Sequence, residues 1–373
     1  YMAKFKLPPV SPLIGSNLIN YFKIIFNNRI SLKYYLNIFI TFLIILLLTP
    51  FQFIDYLIFT FKLRNYTIKK DPIFIIGHWR SGTTFLHNLL CKDTNFSFFN
   101  TYNSVLINNL YTSFLFKTLM HLVMPKERPS DGMKLDVDLP QEDEFAVSNF
   151  NDLAHYLFFY FPNDYKKHYL KSIRFENSES DRRKWIKIYD KLIKRILIYT
   201  KKDQILIKNP SNTARIKTIL SKYPNAKFIH IHRNPYFVYL STYKFFYELF
   251  PAVQLQKTSE ETIHKLVLYN YKKIYEDYYN EYRMIPKNNL IDIKFEDFKD
   301  NPLHQIQNIY RTLGIESFND SKSAFIDYIN ENKSHKMNTY KISKKRILEI
   351  ENEFSSVIKK MKYSVPKNLE IIN

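Results

Sequence analysis

The stretch Pro72-Ile-Phe-Ile-Ile-Gly77-His-Trp-Arg80-Ser-Gly82-Thr-Thr84-Phe-Leu-His-Asn-Leu-Leu90 constrains this chain more than any other. Ile73 to Ile76 is a short apolar run of mainly β-branched residues and reads as a buried strand. A loop bounded by Gly77 and Gly82 follows, and from Thr84 the apolar spacing becomes helical. A strand, a tight loop and a helix N-terminus in that order make an anion site, because unpaired first-turn amides and the helix dipole both favour negative charge. The chain has only 5 glycines, and this loop holds two of them. Glycine allows positive φ and close backbone approach to a phosphate.

The loop nearly matches the nucleotide-binding pattern GxxxxGK[ST], with Thr83 in place of the lysine. Loss of that lysine counts against Mg²⁺-dependent γ-phosphate chemistry. Arg80 supplies a cation inside the loop instead, with hydroxyls at Ser81, Thr83 and Thr84. Such a set suits a 5′-phosphate that carries a transferable anion.

A second stretch reads Lys227-Phe-Ile-His-Ile-His232-Arg233-Asn-Pro235-Tyr-Phe-Val-Tyr-Leu-Ser241. Here Arg233 emerges from the end of a strand, and Ser241 lies about two helical turns further on. A guanidinium fork and a hydroxyl so spaced can share one phosphate.

Together the two stretches resemble the sulfotransferase superfamily in its bacterial PRSGTT-loop form, from about Asp71 to the C-terminus. His78-Trp79 replaces the commoner small or proline residues of that loop. The resemblance implies an α/β fold, a P-loop-like parallel sheet flanked by helices. It also implies transfer of a sulfuryl group from 3′-phosphoadenosine 5′-phosphosulfate (PAPS) to a hydroxyl or amine. Cofactor-binding residues would be Arg80, Ser81, Gly82, Thr83 and Thr84 for the 5′ side, and Arg233 with Ser241 for the 3′-phosphate. Lys208, in "LIKNPSNTARI", matches a strand-end lysine that contacts the sulfuryl group in tyrosylprotein sulfotransferases. Catalysis is expected from Glu142, Glu144, Lys208 and Arg80, without a metal. "PQEDE" resembles the PxEDE segment of bacterial members. If extended, it points Glu142 and Glu144 the same way, and two like charges would raise one pKa. Glu142 is the favoured general base, ahead of Glu144 and His155. Phe295 stands where many relatives carry tyrosine near the adenine, and Lys333 or Lys336 could close a flap.

Residues 1–70 differ in kind from the rest. Tyr34 to Ile54 carries no charge, a run that can just span ~30 Å of hydrocarbon. Pro50 and Asp55 complicate a simple span, and a hairpin bent at Pro50 into one leaflet fits at least as well. Basic residues flank both ends, so positive charge gives no orientation. The expected organisation is a membrane-associated segment over residues 1–70 and a sulfotransferase domain over 71–373, with an aromatic, irregular acceptor side over 92–203. The net charge of +20 admits nucleic acid, an anionic membrane or an anionic cofactor. No basic run is dense enough for a nucleic-acid arm, so compositional drift plus a membrane surface is preferred. A single cysteine, Cys91, excludes an internal disulfide.

From Asp71 onward strands alternate with helices, as in a parallel sheet. Strands are expected over Gln204–Lys208, Lys227–His232 and Leu290–Phe295. Helices are expected over Ser211–Tyr223, Tyr236–Phe250, Leu303–Leu313 and residues 343–362. His230 and His232 share a strand face at metal-ligand spacing, but without a third ligand they read as core or edge residues.

The expected activity is sulfuryl transfer to a hydroxyl acceptor, lipid-borne or glycan. The protein would be membrane-associated with its catalytic domain in the cytoplasm, or in the Golgi lumen of a eukaryote, and would bind no nucleic acid. The rivals are a P-loop nucleoside-phosphate kinase and a non-catalytic nucleotide or anion sensor. The aromatic runs Phe158–Phe161 and Phe245-Phe246 serve equally as an apolar entry or as core.

Overall fold

A computed structural model describes residues 9–127, 134–176, 178–333 and 340–372. In chain order the helices that matter below are α1 (Leu18–Phe26), α2 (Tyr35–Leu63), α3 (Thr83–Leu90), α4 (Ser113–Val123), α5 (Glu144–Phe150), α6 (Glu179–Thr200), α7 (Pro235–Val253), α8 (Glu260–Glu281), α9 (Phe295–Asp300), α10 (Pro302–Leu313), α11 (Phe318–Glu331) and α12 (Lys344–Met361). The strands are β1 (Ile73–Ile76), β2 (Phe96–Ser97), β3 (Gln204–Lys208), β4 (Lys227–His232), β5 (Leu290–Lys294), β6 (Lys341–Ser343) and β7 (Glu370–Ile372). The chain forms two compact units, one from residues 1–70, 97–207 and 246–263, the other from 71–96, 208–245 and 264–373.

The second unit is an α/β layer. β1 pairs parallel with β4, Ile73 opposite Lys227 and Ile76 opposite His230. β4 in turn pairs parallel with β5, Phe228 opposite Leu290 and His232 opposite Lys294. Every residue of β1 is buried, which is why it is a continuous apolar run rather than an alternating one, and the middle of β4 is buried too, His230 included. α10 ends as expected at Gly314, whose φ of 59° gives the left-handed turn that stops a helix.

Two elements here depart from expectation. Ser211–Tyr223 is not one helix: a 3-10 turn over Pro210–Ala214 precedes a short helix over Ile216–Leu220. Asn209 caps the turn, its Oδ1 accepting the Ser211 N–H at 2.9 Å, and Arg215 at φ −128° breaks the helical path. Phe295 opens α9 instead of closing β5.

The first unit is helical. α2 runs unbroken through Pro50, so no hairpin forms there. The missing N–H and ring clash of an interior proline cost about 3 kcal/mol. Buried residues at alternating spacings of four and three (Thr41, Ile45, Leu48, Gln52, Asp55, Phe59) lie on both sides of Pro50 and hold the two halves in one line. α6 falls within the stretch that reads as irregular. Its signal is nonetheless present: Ser178 accepts the Asp181 N–H as an N-cap, and Trp185, Tyr189, Leu192 and Ile196 recur on one buried face. Phe158, Phe159, Tyr160, Phe161 and Phe246 are all buried, with the Phe246 ring 5.6 Å from both Phe158 and Phe159. They are core, not an entry.

Candidate functional site

The loop between β1 and α3 is shaped by its backbone. Gly77 has φ 137°, and a Cβ there would sit 2.2 Å from the Ile231 carbonyl oxygen of β4. Its N–H donates to Thr213 Oγ1 at 2.7 Å, and that hydroxyl returns a bond to the Gly77 carbonyl at 3.3 Å. Thr213, on the turn after β3, thus fixes where the loop begins. No motif marks it in the sequence.

His78 and Trp79 turn inward and are buried, their rings 5.0 Å apart and that of His78 4.9 Å from Tyr271. Burial pushes the His78 pKa down to about 3, so the imidazole is neutral. With these two rings anchored, the chain turns at Arg80, φ 67°, and again at Gly82, φ 93°. α3 starts at Thr83, and its first turn leaves amides without helical partners.

The cations gather at the same end. The Arg80 Nε–H donates to Ser241 Oγ at 2.8 Å, and the Arg80 guanidinium lies 5.7 Å from the centre of the Phe245 ring. Arg233 follows the end of β4 and its Nη1 donates to the Arg80 carbonyl at 3.3 Å. The Arg233 guanidinium lies over the Phe295 ring at 4.6 Å and near Phe237 at 5.5 Å. Burial holds Arg233 below the ordinary arginine value, the Arg80 charge acts the same way, and Tyr340 and Glu296 oppose both. Two neighbouring guanidiniums of like charge are a place where an anion relieves repulsion and adds charge-assisted bonds. Phe295 closes the floor: a Cβ on Gly82 would lie 2.3 Å from its ring.

Arg80, Arg233 and Ser241 are therefore brought together, with Ser81, Thr83 and Thr84 on the adjoining backbone. Lys208 is buried at the end of β3, where its charge lowers a Cys91 thiol pKa that burial otherwise raises. Lys333 is exposed just beyond α11, and Lys336 lies outside the described residues.

The acceptor-side residues belong to the other unit. Residues 142–144 are not extended: Asp143 has helical backbone angles and Glu144 opens α5. The two glutamates take different partners. Glu144 is buried and accepts the His155 backbone N–H at 2.6 Å. Glu142, half-buried, accepts the Tyr156 hydroxyl. His155 is itself buried, its ring 4.9 Å from Phe158 and 5.4 Å from Tyr169.

His230 Nδ1 meets Asp292 at 2.8 Å and its ring stacks on Tyr278 at 4.2 Å. His232 Nδ1 meets the Tyr363 hydroxyl at 3.0 Å. Among the described residues no group of three or more His, Cys, Asp or Glu side chains could hold a metal.

A parallel α/β layer whose first strand runs through a glycine-bounded loop onto a helix, beside an arginine–serine pair from the next strand and helix, describes a sulfuryl- or phosphoryl-transfer fold. The family model for the sulfotransferase family matches residues 72–320, and the chain belongs to that family. It is similar to omega-hydroxy-beta-dihydromenaquinone-9 sulfotransferase Stf3 of Mycobacterium bovis, 26% identical over 308 residues, covering 82% of this chain and 79% of the relative. The Mycobacterium tuberculosis protein of that name matches equally. Among solved structures, sulfotransferase STF9 of Mycobacterium avium aligns with TM-score 0.64 at 15% identity, over 84% of this chain and 82% of its own. Sulfotransferase STF1 of M. tuberculosis aligns with TM-score 0.60 at 15% identity, over 92% and 94%. These two similarities show the fold. Neither the kinase nor the anion-sensor reading is favoured by them.

Proposed function

We propose that this chain transfers a sulfuryl group from PAPS to a hydroxyl on a lipid-borne acceptor at a membrane. The observation that carries the donor is the cluster of Arg80, Arg233 and Ser241 beside the loop from Gly77 to Gly82. It offers two guanidiniums, a hydroxyl and a helix N-terminus, enough for the 5′ and 3′ phosphate groups of one nucleotide. Its residues fit that donor better than a Mg²⁺-bound triphosphate, because Thr83 replaces the lysine that such a site needs.

Arg80 and Lys208 would neutralise charge on the group in transit and on the leaving phosphate, and the first-turn amides with Thr83 or Thr84 would hold the 5′-phosphate. Ser241 and Arg233 would hold the 3′-phosphate. The acceptor oxygen forms its bond to sulfur as the bond from sulfur to the 5′-phosphate oxygen breaks, and the hydroxyl proton passes to Glu142. The lipid-borne acceptor is supported by the mycobacterial relatives, whose name gives a hydroxylated menaquinone, and by the apolar α2. The catalytic domain would face the cytoplasm.

Calorimetry with 3′-phosphoadenosine 5′-phosphate against ATP and Mg²⁺ tests the donor. The expected result is far tighter binding of the former, and equal or tighter ATP binding overturns it. Transfer of labelled sulfate from PAPS to a long-chain hydroxylated quinol and to a soluble alcohol tests the acceptor class. Preference for the soluble alcohol overturns the lipid reading alone.

A further inference from the structure

On α2 the polarity of an ordinary surface helix is reversed. Half of its buried seam is polar, and each polar member has a partner within the same unit. The Ser11 N–H donates to Thr41 Oγ1 at 2.8 Å, and Gln52 Nε2 donates to the Ser16 carbonyl at 3.0 Å. Asp55 accepts the N–H groups of Leu110, Tyr111 and Thr112 at 2.5, 3.1 and 3.3 Å, just before α4 begins. The outward side carries Leu36, Phe39, Leu43, Leu47, Ile54 and Phe61, between 41% and 75% exposed. A helix with its polar groups toward protein and its apolar groups outward is built for a non-aqueous neighbour.

Two other helices extend this face. α4 has no buried residue, and Phe114, Leu119 and Leu122 are 75%, 58% and 75% exposed. It lies against α2 through a Phe51–Phe116 ring contact at 5.1 Å, and Phe116 and Met120 pack on the cluster around Leu48. α1 joins from the other direction through Phe22 and Phe42, 5.6 Å apart, and exposes Ile19 and Phe26.

Charge selects the occupant. Asp55 is the sole acidic residue before Asp71, and it is buried. Arg29 and Lys33 precede α2, and Lys62 and Arg64 follow its apolar run, all exposed. Apolar helices rimmed by exposed cations match an anionic bilayer surface and would repel a second copy of the same rim.

We propose that α1, α2 and α4 form one monotopic docking face, with α2 lying in the plane of an anionic membrane interface and α4 as a second inserted element. This deepens the membrane association proposed above and does not depend on the acceptor being a lipid. Packing decides the orientation. A helix of 29 residues is ~43 Å long and by length could cross ~30 Å of hydrocarbon with a tilt. Crossing the bilayer would, however, draw the backbone at Ser11, Ser16 and Leu110–Thr112 into lipid with the seam that holds it.

The full chain, with Cys91→Ser and single nitroxide labels at Leu36, Leu47, Phe61 or Leu122, is mixed with phosphatidylcholine vesicles with and without phosphatidylglycerol. The expected result is comparable shallow depth at all four positions by collisional relaxation, and binding that needs the anionic lipid and weakens with salt. Leu36 and Phe61 at opposite interfaces with Leu47 at the midplane would overturn the in-plane orientation while leaving membrane association intact. Failure to bind either vesicle would remove both, and a dimer forming in place of vesicle binding would name a second copy as the occupant. The Leu119→Glu/Leu122→Glu variant, altered only at exposed positions, should bind ~tenfold or more weakly. Its thermal unfolding should be unchanged, and unchanged binding would exclude α4 from the face.

Discussion

The Arg80 Nε–H and the Ser241 Oγ, 161 positions apart in sequence, form a 2.8 Å hydrogen bond. One residue comes from the loop after β1 and the other from α7, so the two sequence motifs meet in a direct atom-to-atom contact. The serine hydroxyl accepts from Arg80, and in the proposed site its own proton would go to a phosphate oxygen. On that reading Ser241→Ala removes one ligand and loosens another. Calorimetry with 3′-phosphoadenosine 5′-phosphate should show a loss of about 1.5–3 kcal/mol, that of a hydrogen bond to a charged group. Arg233→Ala should cost at least as much. A Ser241→Ala variant that binds like the parent would separate Ser241 from the nucleotide.

Gly82 and Phe295 give a prediction on stability. At φ 93° any side chain is strained, and a Cβ would stand 2.3 Å from the Phe295 ring. Gly82→Ala should destabilise by about 2–4 kcal/mol, combining left-handed strain with overpacking. In the Gly82→Ala/Phe295→Ala double variant the clash is gone, so the two losses should sum to more than the measured one. Urea denaturation checks this, and strict additivity would mean that the ring moves aside freely.

How far the sequence could be read follows from what each residue answers to. β1, β3 and β4 have the bounds that the runs Ile73–Ile76, Gln204–Lys208 and Lys227–His232 suggest, because their buried positions are mostly apolar. Gly314 stops α10 for a reason internal to glycine. Arg80, Arg233 and Ser241 could be singled out by spacing, but their meeting depends on how β1 and β4 pair. Thr213 was invisible, since its role is to bond a backbone amide 136 positions away. That residues 142–144 are not extended follows from α5 starting at Glu144, a boundary that the acidic run does not mark. Asp55 looks like an interruption of an apolar helix until Leu110, Tyr111 and Thr112 supply its donors.

Stability should fall on mild acidification, through three buried imidazoles. Burial pushes His78 and His168 down to about 3 and His232 to about 4, from an ordinary 6.5. Neighbouring charges contribute: Lys167 and Lys171 lower His168, and His230 lowers His232 while Asp292 and Glu296 oppose. Folded values below unfolded ones mean that the unfolded chain takes up protons first as pH drops. The associated stability is complete above about 6.5 and is lost from there down toward about 4 for His232 and about 3 for His78 and His168, by up to about 1.4 kcal/mol per pH unit for each group. Urea midpoints across that window should decline, and His168→Phe should reduce the slope by about one proton. An unaltered slope would place His168 outside the effect.

The last prediction separates the two glutamates. Glu144 is buried with its carboxylate on the His155 backbone N–H, so Glu144→Gln should act through folding, lowering the unfolding midpoint. Glu142 is half-buried and accepts the Tyr156 hydroxyl. If Glu142 is the base, Glu142→Gln should keep nucleotide affinity while kcat falls on the order of 10²–10⁴. Tyr156→Phe removes the hydroxyl that Glu142 accepts and should then change kcat with KM for PAPS unchanged. A structural role alone would lower stability and leave kcat in place. Full activity of Glu142→Gln alongside loss in Glu144→Gln or His155→Ala would move the base to the partner that failed.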